Sequence, residues 1–423
     1  MLLLHLSDIH FRKSEVSSTQ DPNYHLRNEL VRDAELFCKQ LGPPDAIIVS
    51  GDIAFAGAAE EYAFATEWLR QLCGRCGANA SSIFVIPGNH DVVRQTADKA
   101  LVQMLHKELK RASEITVDGM LRNFLTEKDT SRLLYESLDN YNSFAQQFLC
   151  DLLPPDRTRS VRDLRLNDGS ILRLWGVNTA FVSSAADKEG DIFVDPASLQ
   201  ITREAGVTNL VAAHHHLSWL RQKQAFEDHL NDVAPIQIFG HIHTNRIHMN
   251  RDWMRLTASA MHPDRHEAAW EPGYNIIELQ VEPDGSRRSL RIKAHVRVWQ
   301  TAPGGFHPKM DKGNNIFEHS IGLEPWEGDN AKRSAGEPAS PERIQGLLAT
   351  PGAETMTTLR EIGVRFYQLS FSKKSEIAGK LNLLEEEDMS QPDFERFRRV
   401  FLRAHERKKL EELKNAVEEA EKT

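Results

Sequence analysis

Five times along this chain a strand-like apolar run ends in a short group of oxygen and nitrogen donors. Residues 2–4 lead into Asp8-Ile9-His10, residues 46–49 into Gly51-Asp52, and residues 83–86 into Gly88-Asn89-His90-Asp91. Residues 210–213 lead into His214-His215-His216, and residues 236–239 into Gly240-His241-Ile242-His243. Short apolar runs bounded by turn residues read as buried strands, so the chain is constrained to deliver five donor groups to one sheet edge. Carboxylate, amide and imidazole are all ligands for divalent metals. Residues two apart on an extended segment face the same side, so Asp8 with His10, and His241 with His243, are each expected to aim at one point. Gly51, Gly88 and Gly240 suit sharp turns or close backbone approach. A single histidine or aspartate at a strand end is more often a cap or a structural residue; five such groups in order support one another.

The ordered set resembles the signature of the calcineurin-like metallophosphoesterase superfamily: Asp-x-His, Gly-Asp, Gly-Asn-His-Asp or Glu, His, and Gly-His-x-His. All five blocks are intact. The resemblance implies an α/β fold, a four-layered αββα sandwich, in which Asp8, His10 and His243 hold one metal. Asn89, His214 and His241 would hold a second, Asp52 would bridge the two, and His90 would be the catalytic histidine. Related sequences often run His-His-Pro where this chain has three histidines; His214 is assigned because it follows the apolar run directly, and His215 is its rival. Two divalent ions, Mn, Fe or Zn, roughly 3.5 to 4 Å apart can clamp a phosphate and activate water. The implied reaction is phosphoester hydrolysis by metal-activated hydroxide, with His90 serving the leaving oxygen. Asp91 is expected to cap the following helix or orient its neighbours.

At 423 residues the chain exceeds one ordinary core and suggests a large domain with a small one appended. The net charge of −9 lacks the basic footprint of a sequence-independent nucleic-acid binder. No apolar run approaches membrane-spanning length, so no membrane partner is expected. The opening strand carries a ligand motif at its end and cannot be a cleaved leader without loss of the site. Cys38, Cys73, Cys76 and Cys150 are too few and scattered for a disulfide framework, so reduced structural thiols and a cytoplasmic location are expected.

Between the motifs the spacing of Leu26, Leu30, Ala34, Phe37 and Leu41, and of Tyr62, Ala65, Leu69 and Leu72, predicts amphipathic helices covering parallel strands. Residues 94–159 read as a helical insertion, with Leu101, Met104, Leu105 and Leu109 as one apolar face and Leu133, Leu134, Leu138, Tyr141, Phe144 and Phe148 as another. It could cap the site or pack away from it. After the fifth motif, residues 255–258, 274–281 and 289–299 read as strands of a second sheet, joined by turns such as Pro283-Asp284-Gly285. The phosphoesterase domain is thus placed at 1–323, a Pro- and Gly-containing linker at 324–354, and a small helical domain at 355–423.

That last segment resembles the helical effector-associated adaptor domains of bacterial conflict systems. The resemblance rests on residues 366–374, Ile377, Leu381, Asp393-Phe394-Glu395-Arg396-Phe397 and Arg403-Ala404. It implies a protein partner bearing a like domain. The early motifs and the His-rich fourth block resemble the bacterial cyclic nucleotide phosphodiesterase branch, which favours a phosphodiester substrate of nucleotide type. Two other readings stay open: a metal-dependent nuclease recruited through the adaptor, and a non-catalytic nucleotide-sensing module.

Overall fold

The computed structural model describes residues 1–16, 18, 21–258, 260–261, 271–284, 287–326 and 353–422. The strands are β1 (Leu2–Leu6), β2 (Ala46–Ser50), β3 (Ile83–Ile86), β4 (Arg159–Arg165), β5 (Ile171–Val177), β6 (Val207–Ala213) and β7 (Ile236–Phe239). There follow β8 (Arg246–Asn250), β9 (Trp253–Thr257), β10 (Gly273–Asp284), β11 (Arg287–Thr301), β12 (Gly304–Pro308) and β13 (Phe317–Leu323). They form two sheets, one ordered β12-β11-β10-β1-β2-β3 with β13 also on β11, the other β4-β5-β6-β7-β9-β8. The strands that carry donor groups run parallel within each sheet: β1, β2 and β3 at one end of the first, β6 and β7 at the centre of the second.

Alternation along the strands explains the layering. On β6, Leu210 and Ala212 enter the principal core between the sheets, whereas Val211 and Ala213 face outward onto the helix Lys223–Val233 through Phe226 and Leu230. Ile236 and Ile238 of β7 join the inner core and Phe239 the outer one. The helices Tyr24–Leu41 and Ala59–Cys76 add Leu26, Leu30, Ala34, Tyr62, Ala65, Leu69 and Leu72 to the first sheet's core, which makes the four layers αββα. Gly176 on β5 marks how closely the sheets approach: a Cβ there would lie 2.5 Å from Ile86 Cγ2.

Two expectations are corrected. The strands after the fifth motif do not begin the second sheet: β10 pairs antiparallel with β1, whose other edge is taken by β2, and β11 to β13 extend from it. The second sheet is built earlier in the chain, from β4 to β9. The turn at Gly285 lies outside the described residues. On the helix Ala100–Arg111 the buried face is Val102, His106 and Leu109, while Leu101 and Met104 are exposed. The four cysteines are buried and free, with Cys73 and Cys76 closing the helix Ala59–Cys76. No helix among the described residues is long and apolar enough to cross a membrane.

The helices between β3 and β4 are tied to both sheets' loops. Asn140 Nδ2 donates to Gly57 O, Tyr141 Oη to Val85 O, Gln222 Nε2 to Asp118 and Arg221 to Lys110 O. The proposed linker falls largely on residues 327–352, outside the described residues. Beyond it, the helices Ala353–Gln368, Phe371–Lys380, Asp393–Glu406 and Leu410–Glu421 enclose their own core of Leu359, Ile362, Phe366, Phe397, Val400 and Phe401. This bundle is docked: Val364 belongs to the principal core, and Asp151, fully enclosed, accepts from Arg157 at 2.8 Å and from Arg398 of the bundle at 2.8 Å. Arg157 also donates to Glu395 of the bundle at 2.6 Å. Burial opposes ionisation of Asp151, but Arg398 and Arg157 outweigh it and hold the carboxyl below its usual range.

Removing the shared acceptor leaves two guanidinium groups facing each other across the junction. Asp151→Ala should cost about 1–3 kcal/mol, moderated by the partial exposure of both arginines. Scanning calorimetry should then resolve a separate, lower transition for the bundle; a single unshifted transition would refute the role given to this junction.

Candidate metal centre

The donor groups sit in loops just past the strands. β1 and β2 continue side by side beyond their ends, with Asp8 N donating to Gly51 O at 3.1 Å and His10 N to Asp52 O at 2.9 Å. Here the backbone leaves the extended conformation. Asp8, His10, Asp52, His241 and His243 all have φ between 49° and 68°, the left-handed region that costs an L-residue about 1–3 kcal/mol. The pairs Asp8/His10 and His241/His243 are therefore aimed by left-handed turns rather than by strand alternation. Asp and His are among the residues that tolerate this region best. Gly51, at φ 96°, has no such alternative, because a Cβ would lie 2.5 Å from His214 Nδ1.

The sequence-derived residues are brought together. Asp8, His10 and His243 place ligand atoms within 4.8 Å of one another, as do Asp8, Asp52 and His214, and as do His10, Asp52 and His90. His214, His215 and His241 form a further such group. Asp52 Oδ1 accepts from His90 N at 2.7 Å, while Oδ2 lies 3.1 Å from His10 Nε2 and 3.4 Å from His214 Nε2. His214 Nδ1 donates to Ser50 O at 2.9 Å, which leaves Nε2 facing Asn89 Oδ1 at 3.0 Å.

Two carboxylates are thus enclosed, Asp8 at 0% and Asp52 at 1% exposure. Asp8 Oδ2 accepts from Ser7 Oγ and from His241 N at 3.2 Å, but the buried Oδ1 has no hydrogen-bond partner and faces His243 Nε2 at 3.4 Å. Burial pushes both carboxyls up, yet the surrounding imidazoles win and hold both below the usual range: His243 and His214 for Asp8, His214 and His10 for Asp52. The reciprocal effect is on His214, where burial opposes protonation but Asp52 drives the pKa up to about 9. His241 goes the other way, to about 3, through burial and the neighbouring His214. A cluster that recruits a proton to neutralise its carboxylates, with an orphaned carboxylate oxygen at its centre, fits divalent cations. His214 also has the outer hydrogen bond to a carbonyl that orients ligating histidines.

His90 is oriented from both sides: Nδ1 donates to Phe55 O at 2.8 Å, and the ring packs on Phe55, centroids 4.9 Å apart. This leaves Nε2 as the ring's other nitrogen, and burial lowers its pKa. Arg12 lies over the other part of this wall, its guanidinium 3.8 Å from the Phe55 ring centroid. Asp91 orients its neighbours as an acceptor: Gly88 N and Ala54 N donate at 2.9 Å, Ile53 N at 3.2 Å, and Tyr62 Oη at 2.9 Å. Sequence reading did not single out Phe55, Arg12, Ser7, Ser50 or Thr179. For Thr179 a signal existed, since the apolar run ending β5 is followed by Asn178-Thr179 just as the other runs are followed by donors.

Asp91→Ala should strand three backbone N–H groups that hold the Gly88 loop and the Asp52 loop together. We expect a loss of about 3 kcal/mol in urea unfolding, with Asp91→Asn retaining part of it; equal stability of all three proteins would refute the assignment.

The calcineurin-like phosphoesterase family model matches residues 1–245, and the GTPase-associated adaptor domain model matches residues 358–419. An uncharacterised metallophosphoesterase-like protein of Bacillus subtilis, YydB, is 22% identical over 283 residues, 62% of this chain and 54% of YydB. The glycerophosphodiester phosphodiesterase GpdQ of Enterobacter lignolyticus is 37% identical over 94 residues, 22% of this chain and 30% of that protein. The chain thus spans about half of the first relative's length and less of the second's. Among solved structures, a conserved uncharacterised protein of Streptococcus pneumoniae, described as a predicted phosphoesterase, aligns at 13% identity and TM-score 0.28 over 75% of this chain and 97% of that one. With its donor groups in the family's order on the family's fold, the chain belongs to the calcineurin-like phosphoesterases.

Proposed function

We propose that the chain is a binuclear metal-dependent phosphodiesterase acting on a nucleotide-type diester. The observation that carries this reading is Asp52, whose carboxylate lies between His10 and His214, at 3.1 and 3.4 Å, and so between two donor groups. Asp8, His10 and His243 would hold one ion, Asn89, His214 and His241 the other, with Asp52 shared. Two divalent ions held there would draw charge from the phosphoryl oxygens and lower the pKa of a water molecule.

The protein's own part is positional. His90, fixed by Phe55 O through Nδ1, would deliver a proton from Nε2 to the leaving oxygen. Burial makes it a stronger acid once protonated. Arg12, stacked on Phe55 beside His90, would meet the substituent that departs. The stretch similar to GpdQ supports a diester over a monoester. The match of residues 358–419 to an adaptor domain supports a protein partner that recruits or restrains the enzyme, and the name of that domain points to a GTPase.

The test is hydrolysis of bis(p-nitrophenyl) phosphate against the p-nitrophenyl monoester with Mn²⁺ present. We expect the diester to be preferred, and Asp52→Asn to lose both metal and activity. His90→Ala should keep its metal while kcat falls about 10²–10⁴-fold, most on diesters with poor leaving groups. Monoester preference would overturn the diester reading, and full activity in Asp52→Asn would overturn the shared ligand.

A further inference from the structure

The adjacent His214 and His215 both turn buried rings toward the centre, and their other nitrogens are tied differently. His214 Nδ1 faces the carbonyl oxygen of Ser50, which can only accept, so the proton of a neutral His214 ring sits on Nδ1 and the Nε2 lone pair is available to a metal. His215 Nδ1 instead meets a hydroxyl, Thr179 Oγ1, at 2.8 Å. The same Oγ1 accepts the backbone N–H of His215 at 3.2 Å. These are the polar contacts of Thr179 Oγ1 among the described residues, and a hydroxyl has one proton to give. If His215 also donated through Nδ1, that proton would be buried without an acceptor. The arrangement that satisfies every group has Thr179 donating to Nδ1, which puts the ring proton of His215 on Nε2.

That Nε2 is fully enclosed and has no hydrogen-bond partner. The His215 ring lies 4.6 Å from the ring of His241 and 4.9 Å from that of His214, centroid to centroid, with Trp219 at 6.0 Å closing the far side. A ring nitrogen of His215 comes within 4.8 Å of ligand nitrogens on both neighbouring histidines. An N–H in this position repels a cation and attracts an oxygen.

We infer that His215 is not a metal ligand but a catalytic hydrogen-bond donor, its Nε2–H held by Thr179 toward a phosphoryl oxygen of the substrate at the His214/His241 end of the centre. Thr179 is the positioning residue. The inference rests on the metal-centre reading proposed above. It accounts for a third histidine beside the ligand without adding a ligand, and for the short contact of its Nδ1 with the Thr179 hydroxyl.

The test separates ligand from donor by metal content of the purified full-length protein, measured after loading with Mn²⁺, and by kinetics on bis(p-nitrophenyl) phosphate. His214→Asn should lose one of two bound ions. His215→Ala and His215→Gln should retain both. His215→Ala should lower kcat about 10²-fold, the scale for removing one preorganised donor. His215→Gln, whose amide nitrogen replaces Nε2, should recover at least tenfold of that loss. Thr179→Val should keep both ions, lower kcat, and shift the ring ¹⁵N resonances of His215 away from the Nε2–H pattern. Loss of an ion in His215→Gln, or an unchanged rate in His215→Ala, would overturn the inference while leaving the proposed function standing. Asp52→Asn that retains both ions would instead overturn the metal centre itself, and this inference with it.

Discussion

Two enclosed carboxylates, Asp8 and Asp52, set the terms for everything around them. Their burial costs are offset by imidazoles, the Ser7 hydroxyl and a few N–H groups, and one oxygen of Asp8 is left without a donor. Charge placed in such a site must be matched by charge. The left-handed turns at both aspartates and three histidines, the outer carbonyl on His214 and the Asp91 clamp on Gly88 and Ala54 all serve to keep the histidines converging on that pair. The sheets are the frame that makes this convergence affordable, since β1, β2, β3, β6 and β7 fix where each loop departs.

The strand-then-donor pattern made the parallel strands of the fold legible, because each apolar run was short, rich in leucine, isoleucine, valine or alanine, and followed within a few residues by glycine, aspartate or histidine. What the pattern could not carry was pairing. Nothing local to residues 273–301 says that β10 will take the open edge of β1 rather than start a new sheet; that is decided by which edge remains unpaired after β2 is in place. The same holds for β4, where Val161 and Leu164 are the only apolar residues and the strand is held by its neighbour β5.

At the site, residue identity was legible and geometry was not. Spacing of two suggested an extended segment for Asp8-Ile9-His10, yet the backbone turns left-handed at both residues, a conformation that a sequence without glycine there does not advertise. Thr179 and Phe55 contribute through a hydroxyl and a carbonyl, groups with no signature of their own. On the helix Ala100–Arg111 the periodicity was present but its phase was set by packing against neighbouring helices, so Val102 and His106 took the inner face.

The helical bundle meets the rest of the chain around Gln147, Asp151 and the short turn Ala80–Ser82 that leads into β3. The donor loops leave from the other end of β3, at Gly88. A strand therefore separates the docking surface from the centre. Anything that grips the bundle takes hold of the chain a strand's length away from the donor loops.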